Sequence, residues 1–115
     1  MTAARYDIVV TQGATFARIM DFADALGNPI AQTGNTYIAA IKQTPADTTA
    51  VLTFTVAIDA VITNRIRVSA TATQTAAIPA TTNAVCLWDL QSTAPDGTKT
   101  ALLQGNADII QRIAP

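Results

Sequence analysis

Histidine and glutamate are missing from this chain of 115 residues, and it has one cysteine. Zinc sites are built from sets of Cys and His, so composition alone excludes a zinc centre. The Ser-His-Asp and Cys-His machineries of nucleophilic catalysis fail on the same ground. Cys86 has no second cysteine to pair with inside the chain and reads as a small buried hydrophobe. All the acidic residues are aspartates, at positions 7, 21, 24, 47, 59, 89, 96 and 108. Most fall at turns or on outward strand positions, where turn formation accounts for them. They lack the dense D-x-D-x-D spacing of an EF-hand loop. The glycines, at 13, 27, 34, 97 and 105, are too scattered to cradle a phosphate. No residue is assigned to catalysis, to a cofactor or to a metal, and the expectation is a protein that is not an enzyme.

Charge is scarce as well. Seven basic residues against eight acidic ones give a net charge of −1. They form no basic run or stripe, so nucleic acid is not an expected partner. Arg65 and Arg67 share a strand face, which is the ordinary solvated side of a strand. Long apolar runs are also missing. The opening MTAARYDIVV lacks the apolar centre of a signal peptide, and the uncharged stretch from Ala70 to Trp88 is filled with Thr, Gln, Asn and Pro. No membrane contact is expected, and the chain reads as one made in a cytoplasm. It shows neither a fixed-period repeat nor heptads.

Present in quantity are Thr, Ala and β-branched residues arranged with a period of two. Half of the residues are apolar, but only one Trp, two Tyr and three Phe are available as large anchors. The resulting expectation is an all-β chain: an antiparallel two-sheet β-sandwich of about seven strands in a single domain, residues 1–115. Residues 1–5 read as an N-terminal arm, and Tyr6 to Thr11 as a first strand with Ile8 and Val10 inward. Phe16, Ile19, Met20 and Phe22 break the period, which predicts a bulge or a register change in the second strand. A dense turn, Asp24 to Pro29, follows. Thr36 to Lys42 forms a third strand with Tyr37, Ala39 and Ile41 on one side. Ala50 to Ile58 is the most regular strand, with Leu52, Phe54, Val56 and Ile58 facing one way. Arg65 to Ala70 returns with Ile66 and Val68 inward. Thr71 to Ile78 predicts one short helical turn, capped by Thr71 and ended by Pro79.

The stretch AVCLWDLQSTAPDGTKTALL, from Ala84 to Leu103, carries the clearest hairpin signal. Cys86, Trp88 and Leu90 share one face, and Pro95-Asp96-Gly97 reverses the chain into a return strand, Thr98 to Leu103. After Gly105 a last strand runs from Asn106 to Arg112. The expected core is Phe54, Val56, Ile66, Val68, Trp88 and Leu90. Asp89 sits in mid-strand, where Asp is depleted. It reads either as a solvent-facing residue beside Arg67 or Lys99, or as part of a contact face with a neighbouring subunit. Open sandwiches leave unpaired groups on their edge strands, and these are templates for strand addition. The candidate contact edges are the first strand (Tyr6, Ile8, Val10) and the last (Ile109, Arg112).

Taken in order, YDIVVTQGATFARIMDF, DALGNPIAQTGNTYIAAIK, LTFTV, RIRVSATATQTAAIP and VCLWDLQSTAPDGTKTALLQGNADI resemble a family of small β-sandwich virion proteins of tailed bacteriophages. The design is similar to the N-terminal domain of phage baseplate upper proteins. The resemblance rests on the order of the pieces: a strand ending in QG, a D-x-x-G-N-P turn, a Gly before the third strand, a Thr/Ala-rich connector, a W-D-L strand and a D-G hairpin running into L-L-x-G. It implies a virion structural protein without catalysis, partnered by other phage structural proteins (the major capsid protein, or tail and baseplate proteins) and forming a homo-oligomer in the particle. Baseplate proteins continue into long segments beyond this design, whereas this sequence stops at Pro115, which implies a small accessory. The low charge and small side chains favour a capsid cement or decoration protein. The alternatives are a tail, baseplate or fibre-attachment adaptor and, in a different class, a generic soluble binding module.

Overall fold

The computed structural model describes residues 4–79 and 82–111. In chain order its elements are β1 (Ala4–Arg5), β2 (Ile8–Thr11), β3 (Phe16–Asp21), β4 (Thr36–Lys42), β5 (Leu52–Thr53), β6 (Thr55–Ile58), β7 (Arg65–Ala70), α1 (Ala72–Ala76), β8 (Val85–Thr93) and β9 (Lys99–Ile110). The strands form two sheets, as the period-two pattern predicts. The six-stranded sheet has the order β1-β9-β8-β4-β5, with β2 also paired to β9, and the three-stranded sheet has the order β3-β7-β6.

The core lies between them. Ile8, Val10, Ala39, Ile41, Cys86, Trp88, Leu90, Ala107 and Ile109 come from the larger sheet, and Phe16, Ile66, Val68 and Ala70 from the smaller. Burying each large apolar side chain is worth about 1.5–3 kcal/mol. Of the expected core, five residues are buried, while Val56 is half-buried and packs against the cluster.

The described residues form nine strands: β1 lies in the expected arm, the strand read from Ala50 to Ile58 is divided into β5 and β6, and the two read from Thr98 and from Asn106 join as β9. The alternation from Leu52 to Ile58 continues unbroken, yet the chain changes sheets at Phe54: β5 pairs with β4, and β6 pairs with β7. The Phe54 ring fills the gap between the layers, 5.1 Å from Phe16 and 6.3 Å from Trp88, edge-on to the latter. Ala4 and Arg5 of the expected arm form β1, and Tyr6-Asp7 separates it from β2, which keeps most of the expected first strand. Both run parallel to β9, so one margin of the larger sheet departs from the antiparallel expectation.

Gly105, read as the break between two strands, lies inside β9, which runs unbroken past it. The Tyr6-Asp7 link passes directly over it. A Cβ at this position would collide with the Tyr6 carbonyl oxygen and stand 2.6 Å from Asp7 Oδ1. Trp88 pairs across the ladder with Gly105, and its indole Nε1 donates to that same Tyr6 carbonyl at 2.6 Å. The missing side chain therefore lets the chain's first segment lie against its last, and the anchor Trp ties it there.

The bulge or register change expected in the second strand is absent. β3 pairs with β7 in continuous register from Phe16↔Ala70 to Asp21↔Arg65. The irregular sequence pattern arises because Arg18 occupies an inward position and Ile19 an outward one. The Arg18 guanidinium lies 4.7 Å over the Phe16 ring, where a cation is attracted to the π face. The ladder's irregularity falls instead in the hairpin of β8 and β9, between Leu90 and Gln91.

The helical turn forms where the sequence places it. Thr71 is the N-cap, and a capping box links its side chain to the Gln74 N–H while Gln74 reaches back to the Thr71 N–H. Thr75, fully buried, donates its hydroxyl to the Ala14 carbonyl at 2.8 Å and so fastens the turn to the start of β3.

Candidate functional site

On the larger sheet the inward side chains are consumed by the core, which leaves the outward ones and the sheet margin as accessible surface. The register sets these in cross-strand rows. Thr53, Ala40, Asp89, Gln104 and Arg5 form one row across β5, β4, β8, β9 and β1. Lys42, Leu87 and Asn106 form the next, and Val85, Asp108 and Val9 the one after. The outer face of such a sheet is ordinarily polar. Here Val9, Ile38, Val85, Leu87 and Ile110 stand on it, between 37% and 65% exposed.

A groove of about 350 Å³ crosses this face, bordered by Arg5, Lys42, Leu87, Asp89, Gln104 and Asn106. Ala40, an outward position with almost no side chain, also lines it. Asp89 stands on it between Ala40 and Gln104, with its Oδ2 accepting from Gln91 Nε2 at 3.3 Å. The expected neighbours of Asp89 are corrected here. Arg67 belongs to the other sheet, and Lys99 pairs with Thr93 at the far end of β8.

Among the described residues the first candidate edge is a margin of the sheet. Tyr6 N–H donates to Gln104 O and Gln12 N–H to Ile110 O, both at 2.9 Å, so the even-numbered residues of this segment bond to β9. By alternation, Val9 turns its N–H and C=O away from the sheet. Tyr6, 40% exposed, packs edge-on against Trp88 at 6.2 Å. Ile8 and Val10 are buried in the core, so this margin offers backbone and the Val9 side chain rather than those two. Asp7 guards its start, accepting from the Asn106 N–H at 2.9 Å and pairing with Arg5 at 3.3 Å. The second candidate edge is corrected. β9 lies between β8 and β2, and Ile109 is a core residue, because the start of the chain covers that side. Arg112 lies outside the described residues. Of the proposed arm, Ala4 and Arg5 form β1, and residues 1–3 lie outside the description.

Of the other margins among the described residues, β5 has two residues and β3 carries the inward Arg18, both familiar protections against strand addition, while β6 is a short strand of four residues.

A second exposed apolar group sits on two loops at one end of the smaller sheet. Asp24 Oδ1 accepts the N–H groups of Leu26 and Asn28, both at 2.9 Å, and Gly27 takes the left-handed φ of +84° that closes the turn. Asp59 Oδ1 likewise accepts from Val61 and Ile62, at 2.8 Å each. Leu26 and Val61 project at the tips, 88% and 87% exposed. These N–H donors hold both carboxyls below the usual carboxylate range. Asp21 is lowered too, chiefly by its two hydrogen bonds from Arg65. Asp96 is lowered as well, by the Thr98 N–H, so all four perturbed aspartates are explained by structural bonds.

Cys86 is buried, donates its thiol to the Asn83 carbonyl at 3.3 Å, and is pushed up in pKa by desolvation. A buried thiol held protonated is a poor nucleophile. Among the described residues no group of three or more Cys or Asp side chains is placed to hold a metal ion, and no helix is long and apolar enough to cross a membrane.

The sequence signalled the β2 margin through its position after a short arm. It did not signal the apolar outer face, because Val9, Val85 and Leu87 become neighbours only through pairings of β2, β8 and β9 that no local pattern specifies. No protein-family model matches the chain, and no curated protein is significantly similar to it.

Proposed function

We propose that this chain is a bacteriophage virion structural protein without catalytic activity, a small accessory that binds other particle proteins. The observation that carries the reading is the outer face of the larger sheet, where exposed apolar side chains adjoin an open edge strand on a rigid two-layer scaffold. Such a surface is suited to permanent packing against protein, since an unpaired edge accepts a strand and an apolar face excludes water. The ordered resemblance to phage sandwich proteins supplies the kind of particle. The low charge and small side chains favour capsid cement over a tail, baseplate or fibre adaptor, because repeated close packing tolerates little like-charge repulsion. The protein would then be made in the host cytoplasm and reside in the virion.

Particles produced without the chain test this. Heads that lose DNA on heating or osmotic shock support cement, and stable heads with defective tails or attachment support the adaptor. Particles indistinguishable from wild type in both respects contradict the virion role and favour a generic binding module.

A further inference from the structure

We propose that the outer face of the six-stranded sheet is a self-association surface, on which two copies of this chain pack face to face about a two-fold axis running along β9. The inference concerns the chain alone and stands independently of the virion reading. Three observations lead to it. The first is the set of exposed apolar residues on that face, described above, where polar residues would be expected.

The second is the charge pattern. Arg5, Lys42 and Lys99 are interspersed on this face with Asp89 and Asp108. A partner chosen by charge would call for a face of one sign, whereas this mixed face matches its own copy. Arg5 and Asp89 lie in one cross-strand row on either side of β9, both opposite Gln104. An axis along β9 exchanges them, so that each Arg5 meets the Asp89 of the other copy. Val85 and Val9 are likewise in one row, both opposite Asp108, and the same axis lays each Val85 against the other copy's Val9.

The third is area. β9 supplies a strand of 12 residues. β8 and the β1-β2 margin are shorter, so at ~3.3 Å per residue and ~4.8 Å between strands the three cover about 460 Å² in plan. Side-chain relief raises this toward the low end of specific interfaces, below the ~800 Å² per partner of a standard one, which is why a micromolar rather than a tight dimer is expected. Aligned packing of twisted sheets at about 30° is the geometry expected of the two faces. Lys99 and Asp108, both on β9, are the charges that the axis brings close to their own copies.

Sedimentation velocity on the purified full-length chain, across about 1 to 200 μM, reads the outcome. Expected is a reversible dimer with a micromolar dissociation constant. Val85→Lys and Asp89→Arg should each weaken it at least tenfold, the Arg5→Asp/Asp89→Arg double variant should recover most of the loss, and Asp108→Asn should tighten it several-fold. Ile19→Lys, on the outer face of the other sheet, should leave it unchanged. Circular dichroism and Trp88 fluorescence confirm that each variant is folded, and charge-swap recovery cannot come from misfolding. A wild-type chain that stays monomeric at 200 μM overturns the proposal. So does a dimer indifferent to both Val85→Lys and Asp89→Arg.

Discussion

Replacing Gly105 with alanine would test the packing at the centre of this fold more sharply than any large-to-small change in the core. Gly105 has no need of a left-handed φ: the positive-φ glycines are 13, 27, 34 and 97. The constraint is the Tyr6-Asp7 link above it. An added Cβ would collide with the Tyr6 carbonyl oxygen and stand 2.8 Å from the Tyr6 carbonyl carbon and 2.6 Å from Asp7 Oδ1. Two of the three are backbone atoms that cannot rotate away. Tyr6 is fixed on one side by its N–H bond to Gln104 O and on the other by the Trp88 indole. Relief requires the link to lift, stretching the indole bond and the bond from Asn106 N–H to Asp7. Each such bond contributes about 1 kcal/mol net, and overpacking strain adds about 1–3 kcal/mol. Against this stands a gain of about 0.4–1 kcal/mol from a less flexible unfolded chain. The expected loss is about 2–4 kcal/mol. In a urea titration followed by the fluorescence of the single tryptophan, the midpoint should fall by about 1 to 2 M. Amide exchange at Ile8 and Val10 should rise before that of β7. A midpoint equal to or above wild type would refute the close approach, and with it the parallel docking of β1 and β2 on β9.

Three further outcomes follow from the same geometry. Trp88→Ala removes the largest core side chain together with the donor to Tyr6, and chemical denaturation should show a loss of about 3–5 kcal/mol. Cys86, at 1% exposure, should resist a thiol-labelling reagent in the native state and react fully in denaturant, so that its labelling rate reports unfolding. Asp21, Asp24, Asp59 and Asp96 are all lowered in the folded state, the first by Arg65 and the others by backbone N–H donors. A carboxyl lowered by folding stabilises the protein above its unfolded pKa, and that contribution is lost as pH falls through the folded value. Melting temperature should therefore be nearly flat from about pH 8 to 5, where no histidine titrates, and drop below about pH 4. A melting transition centred near pH 6.5 would contradict this.

The strands of the hairpin and of Thr36–Lys42 were legible because their alternation is local. Each inward residue announces itself two positions from the last, and β4 begins and ends where the pattern does. Phe54 shows where this fails. A strand that keeps its inward face while passing from one sheet to the other has the same alternation as one that does not. Gly105 misled for a related reason: a lone glycine in a strand pattern signals either a break or a close approach, and only the distant Tyr6 decides which. Arg18 was unreadable as an inward residue because what makes it tolerable is the margin position of β3 and the ring of Phe16. The candidate edges divided along the same line. A short arm before β2 was visible in the sequence, but the parallel pairing that buries Ile109 joins residues about a hundred positions apart. The outer apolar face is a product of those long-range pairings, and the residues composing it look ordinary one by one.

Quantitative mass spectrometry of purified particles from the proposed phage source bears most directly on the proposed role. The account predicts the chain as a stoichiometric component, in hundreds of copies per virion if it is cement, and in about six to a few dozen if it serves the tail. Its absence from washed particles would contradict the account.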